Sequence, residues 1–266
     1  MSSFEKTHQI IESFIERALS GLKMRSESMP FDSANEEIYI VATALLARQV
    51  TLATQFASAP QIWTGHSAPL FFRPMTDVQI TLEWITAEPL SRSKSYIEYG
   101  LGQAKLQVEH WKKALENEPQ NENLQQGVKN IAEWIDSQHL SALVNVNVGS
   151  WSGESTRKIA EEVGILDFYN YAYSPFSNCV HSTWFHIGRY NLRRSESPLH
   201  CYRFLPDITE CDPNIEELIL CSKYLDKTFN FFDSKILKSE ACSNIQQWMI
   251  SEILKTFGEE PSKKES

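Results

Sequence analysis

Two features that would narrow the role of this 266-residue chain at once are missing: a long apolar run, and closely spaced metal-binding or disulfide-forming residues. No stretch of about 18 consecutive apolar residues occurs, so no membrane-spanning segment is expected. The opening Met1-Ser-Ser-Phe-Glu-Lys6 carries no apolar signal-like segment, so secretion is not expected either. The five cysteines, Cys179, Cys201, Cys211, Cys221 and Cys242, are odd in number and contain no CxxC or CxH pair. They read as reduced thiols of a cytoplasmic protein, with no metal and no cofactor implied. Basic charge is also in deficit, 25 Lys and Arg against 34 Asp and Glu, for a net charge of -9. Such a chain repels a phosphate backbone unless its arginines gather locally, which excludes extended DNA binding.

What is present is helical periodicity over a 42% apolar composition, enough for a large core. Ile11, Ile15, Ala18 and Leu22 mark a helix over residues 4–24. Asp32 or Ser33 can cap a second, where Ile38, Val41, Leu45, Leu52 and Phe56 form a stripe ending before Pro60. After a turn-rich segment, 61–72, Pro74 suits the first position of a third helix, with Met75, Val78, Leu82 and Ile85 on one face. Pro89 closes that helix, and Ser91 or Ser93 can cap a fourth, in which Gly100 and Gly102 predict a kink. Leu124, Val128, Ile131 and Ile135 mark a fifth. Residues 143–148 alternate and read as an extended loop, or else one short strand. A short helix runs from Ser155 to the glycine cap at Gly164, and helicity resumes over 167–173. Pro175 opens a helix to about Arg189, and 191–213 is irregular. Two helices, 214–238 and 240–257, complete a C-terminal pair before a tail, 259–266, expected to be disordered. The expectation is an all-α, single-domain bundle of about eight to ten helices over residues 1–258.

The chemistry concentrates in residues 173–189. Along one helix, Tyr173, Ser177 and His181 would stand at steps of four in a ladder of about 6 Å per step, with Arg189 two turns beyond. A hydroxyl, an imidazole and a guanidinium in line suit proton transfer and phosphate stabilisation. The same residues equally suit a buried hydrogen-bond network that ties helices together. Ser177 lacks the Gly-x-Ser-x-Gly elbow of a hydrolase nucleophile. His181 and His186, five apart, do not converge on one metal as an i, i+4 pair would. Glu83, on an apolar helix face, requires a partner, for which Arg73, Arg189 and His181 are candidates. Arg193 and Arg194 beside Arg189 make one basic patch able to hold a phosphate. Ser155–Ile165 opens like a helix-turn-helix, but the aromatic segment that follows has no lysine or arginine to read a groove.

The order Arg73-x9-Glu83 and then, about a hundred residues on, Tyr173-x3-Ser177-x3-His181-Ser182 resembles the mostly bacterial family catalogued as domain of unknown function 5677, over roughly residues 35–205. That resemblance implies that Arg73, Glu83, Tyr173, Ser177 and His181 are the positions that matter. The family's form is also similar to helical nucleotide-binding and ribonuclease proteins of toxin and antiviral defence, whose signature is an arginine four to six residues before a histidine. Here Ser174–Phe176 and Val180 occupy the places of that arginine, so a ribonuclease site must recruit Arg73 or Arg189. The resemblance implies an intracellular protein that handles RNA or a nucleotide in stress or phage defence. In it His181 would be general acid or base, Arg73 or Arg189 would hold phosphate, Glu83 would orient, and Tyr173 and Ser177 would position substrate. The competing expectation is a non-catalytic module whose exposed aromatic helices contact a partner protein or a second copy.

Overall fold

The computed structural model describes residues 3–29, 36–138, 151–199, 203–208 and 211–258. The alternating run 143–148, the Asp32 and Ser33 caps, Cys201 and the tail 259–266 lie outside them. In order come α1 (Ser3–Glu27), α2 (Glu36–Ala57), a 3-10 turn (Pro60–Ile62), α3 (Ala68–Ala87), α4 (Pro89–Asn117), α5 (Glu122–Asp136) and α6 (Thr156–Glu162). Then α7 (Leu166–Phe168), a π-helical turn (Tyr169–Tyr173) and α8 (Ser174–Val180) run on without a break. They are followed by α9 (Trp184–Tyr190), β1 (Leu192–Arg194), β2 (Phe204–Pro206), α10 (Ile215–Phe232), a second π turn (Asp233–Leu237) and α11 (Ile245–Phe257). With α7 and α8 taken as one, ten helices and one two-stranded sheet are present among the described residues, an all-α fold.

The apolar stripes account for the packing. α2 is the central helix, touching α1, α3, α4 and α10, and Leu46, Ala53 and Phe56 on it are wholly buried. Among the described residues it alone is long and apolar enough to cross a membrane, and 56% of that apolar window is buried in the protein, as befits a core helix. Phe14, Phe72, Ile80, Leu82, Phe229 and Phe232 close the core from α1, α3 and α10. The α7–α8 stretch and α6 lie across α3, whereas α4 and α5 pack mainly on each other, and α5 buries only Ile135.

Several expectations are corrected. Pro74 does not open α3; the helix starts at Ala68, with Pro69 in its first turn. Ala68 and Phe72 are wholly buried, so packing extends the helix back through a proline that removes one backbone bond. Pro89 lies in the first turn of α4, and Ser93 is buried inside that helix rather than capping it. α4 passes through Gly100 and Gly102 as one helix. Residues 191–213 include an antiparallel β1–β2 ladder that pairs Leu192 with Pro206 and Arg194 with Phe204.

The correction with most bearing on function falls at residues 181–183. The expected helix to Arg189 is broken there. His181 is the C-cap of α8, with its amide donating to Ser177 O at 3.0 Å. Ser182 adopts a left-handed φ of 48°, and Thr183 is extended before α9. A left-handed residue stops α-helical propagation, and the Thr183 hydroxyl anchors the new direction on Asn178 Oδ1 at 2.9 Å.

Candidate functional site

Arg73 is the centre of what the ladder becomes. Its Nε donates to Ser177 Oγ at 3.2 Å, Nη1 to Asp77 and Nη2 to the Tyr173 hydroxyl. Its guanidinium carbon also lies 3.4 Å from the Tyr173 ring centre. α3 supplies Arg73 and Asp77 one turn apart, the π turn supplies Tyr173, and α8 supplies Ser177. Tyr173 donates its proton to Thr156 Oγ1 at 3.1 Å and stacks on Tyr169, centres 4.8 Å apart. Burial raises the Tyr173 phenol above its ordinary value, with Asp77 adding to the rise and the Thr156 bond and Arg73 opposing it. Burial, then Asp77, raises Tyr96 likewise. Both are neutral phenols at pH 7 and do not act as bases there.

Three of the expected residues, Arg73, Tyr173 and Ser177, therefore meet. His181 and Glu83 do not join them. His181 is exposed at the end of α8. Glu83 accepts from Gln79 Nε2 at 2.7 Å and pairs with Lys227 of α10 at 3.3 Å, not with Arg73, Arg189 or His181. The reason is length: ten residues along one helix separate Arg73 and Glu83 by about 15 Å. Gln79 in turn accepts from Thr228 at 2.7 Å, so Glu83 belongs to a polar seam between α3 and α10.

Sequence reasoning missed two further arginine clamps. Arg92, buried in α4, donates to Trp84 O at 2.8 Å and to Glu162, and covers the Trp84 ring at 3.8 Å. Hydrogen bonds from Trp84 and Arg92 hold the Glu162 carboxyl below its ordinary value. Arg25, 2% exposed, pairs with Asp233 at 2.6 Å, donates to Gly21 O at 3.0 Å and covers the Phe229 ring at 4.0 Å. Arg25 follows Ala18 and Leu22 on the apolar stripe of α1, which was the available sign, and Arg73 with Asp77 had i, i+4 spacing.

The surface that follows α8 is built differently. α9 exposes Trp184 (72%) and Phe185 (60%), and β2 exposes Phe204 (56%). Arg189 leaves the last turn of α9, with its guanidinium carbon 5.3 Å from the Phe185 ring centre and 5.7 Å from that of Tyr190. β1 follows directly with exposed Arg193 and Arg194, and exposed Arg203 precedes Phe204, the cross-strand partner of Arg194. None of these four arginines is ion-paired with a described residue, and Glu196 is the one acid in residues 181–199. Beneath α9, a cleft of about 240 Å³ is lined by Phe185, His186, Arg189, Tyr190 and Glu217 of α10. Desolvation, then His66 and Arg189, hold the His186 imidazole below its ordinary value, so it is neutral at pH 7. A wider cleft of about 690 Å³ lies between α1 and α11, and none of Arg73, Glu83, Tyr173, Ser177, His181, Arg189 and Arg193 lines it. No group of three or more potential metal ligands occurs among the described residues.

Neither the curated proteins nor the solved structures contain a match to this chain. The profile of a family of unknown function, DUF5677, does match, over residues 39–198, which runs from within α2 past β1 and takes in Arg73, Tyr173, Ser177, His181, Arg189 and Arg193. More than half of the sequence is covered, and the chain belongs to that family.

Proposed function

We propose that this protein binds single-stranded RNA through the surface formed by α9 and the β1–β2 ladder, and that the Arg73 cluster is structural rather than catalytic. The observation that carries the reading is local concentration: four arginines that pair with no described carboxylate, interleaved with exposed Trp184, Phe185 and Phe204 on a chain of net charge -9. Exposed rings stack on bases and neighbouring guanidinium groups neutralise phosphates, which is how single strands are held without a groove to read. Arg189 and Arg193 are the phosphate-binding residues in this reading. Arg73 is not, because its three nitrogens already donate to Ser177, Asp77 and Tyr173 and its charge is balanced by Asp77. The cellular setting attached to the proposal is a bacterial stress or phage response.

The test is fluorescence anisotropy of a labelled 12-nucleotide single-stranded RNA over a salt series. Wild type binds, and Trp184→Ala with Arg189→Ala weakens binding at least about tenfold while leaving the melting temperature in place, because stacking on one ring contributes about 1–3 kcal/mol. No binding by wild type, or equal binding by the double variant, overturns the proposal. Capture of an acidic peptide on this surface without RNA binding overturns it in favour of a protein partner.

A further inference from the structure

The RNA-binding surface leaves the cleft beneath it unexplained. Its walls are flat rings, Phe185, His186 and Tyr190, and His186 and Tyr190 are held by His66, whose ring centre lies 5.7 Å from one and 4.9 Å from the other. At about 240 Å³ it is smaller than the roughly 300–1,000 Å³ of drug-sized ligand sites and suits a single planar heterocycle. Glu217 enters it from the first turn of α10 as a half-buried carboxyl that accepts no hydrogen bond and joins no ion pair among the described residues. Asn178, a further polar wall residue, is already engaged: its Nδ2 donates to Ser174 O at 3.2 Å and its Oδ1 accepts from Thr183 at 2.9 Å. Glu217 is the one carboxyl among the described residues of that wall, beside the Arg189 guanidinium and the His186 ring.

We infer that this cleft takes one unstacked guanine from the bound strand, with Glu217 accepting from the base N1–H and N2–H2 groups. The inference rests on the RNA-binding reading of the adjoining surface. Guanine is the base whose Watson–Crick edge offers two adjacent N–H donors. Adenine and cytosine place a ring-nitrogen acceptor beside their amino group, and uracil sets its single N–H between two carbonyl oxygens. Both arrangements turn lone pairs towards a carboxylate and leave it under-satisfied. Arg189, which lines the cleft beside Phe185 and Tyr190 and is exposed, would hold the phosphate of the same nucleotide. Single-stranded RNA is read in this way, with bases splayed onto aromatic walls and bonded at their edges.

The experiment compares anisotropy titrations of labelled oligouridine carrying one central G, inosine, A, C or U against wild type, Glu217→Gln and Glu217→Ala. The expected result is a preference of about tenfold or more for G over A, C and U, the discrimination of a good bidentate contact, and an intermediate affinity for inosine, which lacks the N2 amine. Both Glu217 variants lose the preference and bind plain oligouridine as wild type does. Equal binding of all central bases overturns the guanine inference and leaves RNA binding standing, as does a preference that survives both variants. Binding of free GMP without binding of any oligonucleotide overturns the RNA reading and keeps the base site. No binding of either overturns both.

Discussion

Seven of the ten arginines fall into two contrasting sets. Arg25, Arg73 and Arg92 each lie over an aromatic ring, with a carboxylate and at least one further acceptor on the same guanidinium. Arg189, Arg193, Arg194 and Arg203 are exposed and pair with no described carboxylate. The first set locks helices: α1 to the end of α10, α3 to the π turn and α8, α4 to α6. The second, in the proposed reading, offers its donors to an RNA strand. Family membership does not separate them, since Arg73 and Arg189 both fall within the matched residues 39–198 while Arg25 falls outside. What separates them is whether the donors are already occupied, which a motif cannot express.

The comparison breaks most visibly at Arg25. Arg25→Ala leaves Asp233, 2% exposed, without its cation and is expected to lower stability by about 3–5 kcal/mol in a urea titration. Asp233→Ala does comparable damage, and the double variant is less destabilised than the two single losses added together. Next, Arg73→Ala is expected to cost about 2 kcal/mol and Tyr173→Phe about 1 kcal/mol, both with RNA affinity unchanged once the protein is folded. If Arg73→Ala instead abolishes RNA binding at unaltered stability, the two populations merge and Arg73 becomes a ligand-binding group.

Outer arginines should show the reverse. Arg193→Ala or Arg194→Ala is expected to move stability by no more than about 0.5 kcal/mol, and to reduce the slope of log affinity against log salt by about 0.7 for each lost phosphate contact. The smallest effect is at Glu217, whose carboxyl is raised above its ordinary 4.5 by burial and then by Glu216. A folded value above the unfolded one means that its favourable contribution is present below pH 4.5 and is lost as pH rises through the raised value. Glu217→Gln should therefore melt slightly above wild type at pH 7, with the gap closing towards pH 4 in a thermal melt series.

The helices were legible because stripes such as Val41, Leu45, Leu52 and Phe56 repeat at helical spacing and bury one face. Half of the clamp was legible too, since Tyr173 and Ser177 lie four apart and Arg73 was singled out with them. The rest depended on facts no local pattern carries. Ser182 takes a left-handed conformation without being glycine, so nothing announced that His181 would part from Arg189. Glu83 finds Lys227 only because α10 packs on α3. Two three-residue strands are too short to show an alternation, so the basic ladder at Arg193 and Arg194 was read as irregular chain.

Both π turns face an arginine clamp: Tyr173 ends one and meets Arg73, and Asp233 begins the other and meets Arg25. A π turn is a helix that has taken in one residue more than an α turn holds. At 169–173 the surplus is bracketed by the stacked pair Tyr169 and Tyr173, with helix running on at either side. Deletion of Asn170 would return that turn to α geometry and let α8 keep its seat on α3, whereas deleting one residue in the middle of α3 would rotate the rest of that helix by about 100°. At 169–173, chain length is thus expected to be adjustable where Arg73 holds Tyr173 in place.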